Sequence, residues 1–219
     1  MTQTASPAII LHDYWRSSSS YRVRIGLNVL GLVYGRHPVD LLNGAQRDAD
    51  NLQINPQGLV PTLQIDGLYL TQSLAILEYL NETRGFGSNG LLPKDSAGRA
   101  KARAIAMAIA MEIQPICIPR VAGYAVAASQ GAIVNAEWMQ HFIATGLAHV
   151  EAMLADTPSE FCYGDTITLA DICLVPQIYN ARRWGVDLAA TPRLAAIAAR
   201  AEALPAFAAA HPDRFAPVA

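Results

Sequence analysis

The side chains best equipped for chemistry stand in one run, Trp15-Arg16-Ser17-Ser18-Ser19-Ser20-Tyr21-Arg22-Val23-Arg24. Four consecutive serines separate an apolar stretch from residues with helical spacing. Hydroxyls at the mouth of a helix add donors to the unpaired backbone N–H groups there, and both favour negative charge. Arg16, Arg22 and Arg24 flank the same turn. A site of this kind holds an anion, or holds a thiol as its thiolate. On these residues alone, a plain loop and helix cap is the favoured reading.

Other candidates for chemistry are fewer. His12, His37, His141, His149 and His211 show no metal-ligand spacing, and no metal site is expected. No G-x-S-x-G motif or matched His/Asp pattern supports a serine hydrolase. Thr168-Leu169-Ala170-Asp171 has the form of a capping box, which gives Asp171 a structural duty rather than a catalytic one.

The elements that must position these residues follow from periodicity. Ala8 to Tyr14 is apolar and β-rich at its start, a buried strand. Ser19 or Ser20 suits the N-cap of the helix that follows. Val23, Leu27 and Leu30 form its apolar stripe, and Gly31 stands where a C′ residue ends a helix. A second strand falls within Tyr34 to Leu41, and Asn43 to Asn55 is loop with a short helix. Asp66-Gly67 between apolar runs predicts a hairpin, with Pro61 at the start of its first strand, where a missing N–H is tolerated. Helical spacing returns from Ser73 to Arg84. The order β-α-β-(α)-β-β-α implies a small mixed sheet, parallel across the crossover and antiparallel at the hairpin.

Gly85 to Asp95, with Gly85, Gly87, Gly90 and Pro93, reads as a linker. Composition then changes: residues 1–84 hold five alanines and residues 96–219 hold 33, so the second part should be all-helical. Ser96 to Ala128 reads as one long helix disturbed at Pro115 and Pro119. Ile133 to Leu154 is another, Thr168 opens a third, and Pro192 to Leu204 is a fourth with Pro205 just past its end.

Composition bounds the remaining classes. At 52% hydrophobic and 16% charged residues, a sizeable core is available, and a net charge of −2 with pI near 6.2 gives no electrostatic case for nucleic acid. Three cysteines, Cys117, Cys162 and Cys173, form no C-x-x-C pair and suit a reducing compartment. Met1 to Pro7 lacks the features of a signal peptide, and no run approaches the about 18 apolar residues of a membrane span. The expectation is a cytoplasmic protein with no membrane or nucleic-acid partner.

Several motifs together carry a resemblance. Ser17-Ser18-Ser19-Ser20-Tyr21-Arg22-Val23-Arg24-Ile25 is similar to the zeta-class glutathione transferase signature Ser-Ser-Cys-x-x-Arg-Val-Arg-Ile. Asn55-Pro56-Gln57, Val60-Pro61-Thr62-Leu63, Gln72-Ser73-Leu74-Ala75-Ile76, Gln114-Pro115 and the stretch from Gly164 to Gln177 resemble the same class, in the same order, from Leu11 to Pro212. The class includes the maleylacetoacetate and maleylpyruvate isomerases. The resemblance implies an α/β plus all-α architecture: a thioredoxin-like, glutathione-binding domain over 1–86 and an all-helical substrate domain over 95–219.

It also implies roles. Glutathione would be the cofactor, its thiol held as the nucleophilic thiolate by Ser17, with Ser18 supporting. Ser19 falls where the family usually carries cysteine, which keeps a hydroxyl donor and loses a redox-active sulfur. Ser17, Ser19, Gln46, Val60, Pro61, Gln72, Ser73 and Gln114 would bind glutathione: a cis peptide at Pro61 would present the Val60 backbone, and Ser73 would receive the γ-glutamyl carboxylate. Arg16, Arg120, Arg182 and Arg183 would hold a dicarboxylate substrate, Arg16 also serving catalysis, and would stabilise the enolate that develops. Arg22 and Arg24 read as structural. The implied function is glutathione-dependent cis–trans isomerisation of a maleyl dicarboxylate in aromatic compound catabolism, by a homodimer. A transferase or dehalogenase acting on other small electrophiles, and a non-catalytic binding module of the same fold, are the alternatives.

Overall fold

The computed structural model describes residues 9–85, 90–155 and 159–217. The polar start Met1–Pro7, Ala8 and the linker residue Gly87 lie outside the described residues. The chain divides into two compact units, Met1–Leu91 with Pro205–Ala219, and Leu92–Leu204.

The first unit is built on a four-stranded sheet. In chain order it contains β1 (Ile10–Asp13), α1 (Ser18–Val29), β2 (Gly35–Pro38), a 3₁₀ turn at Ala45–Arg47, α2 (Ala49–Ile54), β3 (Thr62–Ile65), β4 (Leu68–Thr71) and α3 (Ser73–Arg84). The sheet order is β2-β1-β3-β4. β1 and β2 are parallel, with His12 beside His37; β1 with β3, and β3 with β4, are antiparallel. The hairpin turn has positive φ at both Asp66 and Gly67, 52° and 76°, the type I′ geometry whose twist matches the strands. Leu11, Val23, Leu27, Leu63, Ile65, Ile76 and Leu80 form the core between sheet and helices. The α1 stripe therefore faces inward as its spacing predicts, and Leu30 packs at the rim.

α1 ends in a Schellman motif: Leu32 N–H reaches Leu27 O and Gly31 N–H reaches Asn28 O, with Gly31 at φ 68°. Its start differs from the expectation. The cap is Ser17, not Ser19 or Ser20: Ser17 is extended and its side chain accepts from Ser20 N–H at 3.3 Å. The turn closed by Ser17 N–H on Tyr14 O, 3.0 Å, brings the chain into helical geometry earlier than the serine run alone implies.

The end of the chain also departs from the expected 95–219 grouping. α9 (Pro205–Ala210) and a 3₁₀ turn at Pro212–Phe215 belong to the first unit. α9 lies against α1, where Asn28 Nδ2 donates to Ala206 O at 2.9 Å. These contacts are long-range in sequence, so no local pattern announces them.

The second unit is helical. It comprises α4 (Ser96–Met107), a π-helical segment at Ala108–Ile113, α5 (Pro119–Ala128), α6 (Asn135–Met153), α7 (Leu169–Arg183) and α8 (Pro192–Glu202). The stretch expected as one long helix from Ser96 to Ala128 is three segments: α4 already ends at Met107, and the chain breaks between Ile113 and Pro119 as the prolines predict; Pro119 occupies the first turn of α5, where its missing N–H is harmless. α7 opens on a complete capping box: Thr168 Oγ1 accepts from Ala170 N–H, and Asp171 accepts from Thr168 N–H at 2.8 Å. Among the described residues, no helix is long and apolar enough to cross a membrane.

Candidate active site

Register places three motifs at one end of the sheet. β1 ends at Asp13 and runs into the serine turn. β3 starts at Thr62, paired with His12, so Val60-Pro61 enters the sheet beside the exit of β1. β4 ends at Thr71, paired with Thr62, and hands the chain to Gln72-Ser73. The serine run, Val60-Pro61 and Gln72-Ser73, separated by tens of residues in sequence, thus share one sheet edge.

Each motif has a geometry suited to polar recognition. Ser17 accepts from Ser20 N–H, which leaves its own O–H able to donate at the start of a twelve-residue helix. Loop-and-cap and thiolate donor are therefore compatible duties of one hydroxyl. Ser18 and Ser19 sit in the first turn, partly buried, and Arg16 lies with its guanidinium 5.1 Å from the ring centre of Trp15. The Val60–Pro61 peptide is cis, as the resemblance implies, and Val60 stands outside the ladder that begins at Thr62.

Gln72 caps α3 with φ 67° and ψ 112°, in the positive-φ region that L side chains rarely occupy. Such strain persists where surrounding structure enforces it, and it concentrates at functional sites. Its amide nitrogen donates to Gln57 Oε1 at 2.8 Å. Ser73 is buried in the first turn of α3, and its Oγ accepts from Arg22 Nη1 at 3.2 Å. That bond leaves the hydroxyl proton of Ser73 available to donate at the helix N-terminus, a position that favours an anion. Gln46 belongs to the loop that abuts this approach: a Cβ on Gly58 would lie 3.4 Å from Gln46 O, and Gln46 Oε1 is buried without a protein partner among the described residues. Thr62 Oγ1 is in the same state. The two orphaned buried oxygens fit a polar ligand with donors and acceptors, as a tripeptide has.

The remaining candidates belong to the second unit. Gln114 follows the π-helical segment, its N–H bonded to Ile109 O, an irregularity frequent at functional sites. Arg120 is exposed in the first turn of α5. Arg182 is ion-paired with Glu202, Nη1 to Oε1 2.7 Å and to Oε2 2.9 Å. Arg183 donates to Asn180 Oδ1 at 3.0 Å and lies over the Trp184 ring.

Two of the protein's own thiols are poor nucleophiles. Burial pushes the Cys117 thiol up to about 11, and burial with the neighbouring Asp171 carboxylate pushes Cys162 well up. Burial also raises the Asp171 carboxyl, against the N–H groups of Cys162 and Thr168 that favour its ionised form. Asp171 is enclosed in its capping box, as expected of a structural residue. Sequence reasoning missed Arg22 as a partner of Ser73, because residues 51 positions apart meet only through the docking of α1 on α3.

Fold and site together define the class. Residues 7–82 match the model of the glutathione S-transferase N-terminal domain, and residues 134–210 match that of the glutathione S-transferase C-terminal domain. The chain belongs to the glutathione S-transferase family and, within it, to the zeta-class group of maleylacetoacetate and maleylpyruvate isomerases. It is 55% identical to the maleylacetoacetate isomerase of Rhizobium meliloti (strain 1021), over 95% of this chain and 98% of that protein. A solved holo maleylpyruvate isomerase, a bacterial zeta-class enzyme, superposes with a TM-score of 0.88 at 38% identity, covering 93% of this chain and 96% of the other. Maleylacetoacetate isomerase of Anaeromyxobacter dehalogenans 2CP-1, solved with dicarboxyethyl glutathione and citrate in its active site, superposes with a TM-score of 0.83 at 42% identity, covering 95% and 96%.

Proposed function

We propose that this chain is a glutathione-dependent cis–trans isomerase that converts a maleyl dicarboxylate, maleylacetoacetate or maleylpyruvate, to its fumaryl isomer. The observation that carries the reading is the meeting of the serine run, Val60-Pro61 and Gln72-Ser73 at one end of the sheet. The similarity to named isomerases over nearly the whole chain supports it. So does the Anaeromyxobacter structure, which holds a glutathione derivative bearing two added carboxylates.

Glutathione, when bound, supplies a thiolate that adds reversibly to the conjugated double bond and so permits rotation about it. The residues of this chain do the rest. Ser17 donates its hydroxyl to the sulfur and, with the α1 N-terminus, favours the ionised thiol; Ser18 supports the same turn and Ser19 contributes a hydroxyl to the binding surface. Ser73 and the first N–H groups of α3 take the γ-glutamyl carboxylate, with Arg22 orienting the serine. Gln72, Gln46 and the Val60 backbone bind the peptide portion, and Gln114 contributes from the helical unit. Arg16 and Arg120 offer guanidinium groups to the substrate carboxylates, where positive charge also stabilises the enolate that develops. Arg183, and Arg182 on release from Glu202, extend that set. The domain roles follow the two units: Met1–Leu91 with Pro205–Ala219 for glutathione, and Leu92–Leu204 for substrate.

The protein acts as a cytoplasmic homodimer in this reading. Exposed Leu68 and Tyr69 on edge strand β4 suit burial against a second copy, and three buried cysteines suit a reducing compartment. The test is a spectrophotometric assay of maleylacetoacetate and maleylpyruvate with and without glutathione. Turnover of at least one that requires glutathione is expected. Turnover that proceeds equally well without it overturns the reading.

A further inference from the structure

Arg24 was expected to be structural, yet its three nitrogens reach three separate segments. Nη1 donates to Asp13 Oδ2 at the end of β1, 2.6 Å; Nη2 donates to Trp15 O, 2.8 Å; Nε donates to Ala210 O at the end of α9, 3.1 Å. The side chain is fully buried, 0% exposed. The rings of Tyr21 and Phe215 lie 5.4 and 5.0 Å from its guanidinium carbon. Arg36 packs on Phe215 at 4.1 Å and also binds Asp13, at 2.7 Å. The carboxylate thus balances one of two cations that share a phenyl ring.

The Trp15 contact is the informative one. Tyr14 to Ser17 form a four-residue turn closed by Ser17 N–H on Tyr14 O. Trp15 O belongs to the central peptide of that turn, the unit that neither the strand nor the helix holds. That peptide sets the direction from which the chain enters Ser17. A fully buried guanidinium two helical turns further on grips it, and the C-terminal segment grips the guanidinium in turn.

We propose that Arg24 is the positioning residue of the thiol site, fixing the Trp15–Arg16 peptide and through it the Ser17 hydroxyl, with Ala210 and Phe215 as the outer clamp that holds Arg24 in register. The proposal rests on the reading of Ser17 as the donor to the glutathione sulfur. It gives the last segment of the chain a part in the chemistry of the first unit. It also explains why a planar, three-pronged cation stands here: lysine carries the charge but cannot hold three acceptors in fixed directions.

The test measures the pH at which enzyme-bound glutathione ionises, by ultraviolet difference absorbance of the thiolate, together with kcat and KM. Arg24→Lys should raise that midpoint by about one unit and lower kcat about tenfold, with the KM for glutathione little changed. An Arg24→Lys protein that folds and keeps the parent midpoint overturns the proposal. If Arg24→Lys does not fold, Phe215→Leu loosens the clamp from outside: an upward shift supports the proposal and a parent midpoint overturns it. Ser17→Ala, measured in parallel, separates this proposal from the reading beneath it. A midpoint that moves in Ser17→Ala but not in Arg24→Lys removes the positioning role alone. One that moves in Arg24→Lys but not in Ser17→Ala keeps the turn as the positioned element and removes Ser17 as donor. One that moves in neither removes both.

Discussion

Replacing Ser17 by alanine removes two interactions at once, and the structure allows them to be told apart. The first is the helix cap, Ser17 Oγ accepting from Ser20 N–H. Loss of an N-cap costs about 1 kcal/mol, which in a chain of this size lowers Tm by about 2–4 °C. The second is the hydroxyl donor proposed for the glutathione sulfur. A hydrogen bond to a charged group contributes about 1.5–3 kcal/mol, so its loss should raise the pKa of bound glutathione by about one to two units. It should also lower kcat/KM near neutral pH by roughly 10- to 100-fold. Ser17→Asp uncouples the effects: aspartate caps as well as serine, so Tm should hold, while its charge and missing donor should depress activity at least as far as alanine does. Ser17→Thr keeps both functions and should stay within several-fold of the parent. The assay is the pH dependence of kcat/KM for isomerisation, paired with a thermal melt. A Ser17→Ala protein that melts lower but keeps the parent pH profile refutes the argument, leaves Ser17 as a cap only, and moves the donor role to Ser18 or Ser19.

Two further outcomes test the framework around the site. Asp171→Ala removes the acceptor of Cys162 N–H, Thr168 N–H and Thr168 Oγ1 from a fully buried position; the orphaned donors should cost about 3 kcal/mol or more and lower Tm by roughly 6–12 °C, and a thermal melt unchanged from the parent would show that the capping box contributes nothing. His12 is held below its ordinary pKa first by burial and then by His37, whose ring centre is 4.8 Å away, with Asp13 opposing. Its folded form therefore binds a proton less readily than its unfolded form, so the associated stability is present above the ordinary value of about 6.5 and declines as pH falls below it. Tm should drop more steeply between about pH 7 and 5 in the parent than in His12→Gln, and equal slopes contradict the assignment.

Much of the architecture was legible because its signals are local. The hairpin rests on Asp66-Gly67, two adjacent residues whose positive φ favours a type I′ turn. The α7 start rests on Thr168 and Asp171, one helical turn apart. Gly31 ends α1 as its position predicts, and the alanine-rich half is helical as composition requires. The family motifs are also read in short windows, and their order carried the identification.

What the sequence left undetermined is a matter of distance along the chain. Whether Ser17 or Ser20 caps α1 depends on the turn that leaves β1, not on serine's capping tendency, which all four share. The serine run acquires its neighbours only when strand register brings Val60-Pro61 and Gln72-Ser73 to the same sheet edge. Arg22 meets Ser73 across 51 residues and Arg24 meets Ala210 across 186, pairings that no periodicity encodes because they arise from helices docking on a common core. The sequence by itself determined most of the elements, their order and the chemical kinds of side chain offered to a thiol and a carboxylate. Tertiary structure alone decided which serine caps α1, which arginine is engaged by Glu202, and that the chain's last helix closes over the arginine holding its first turn.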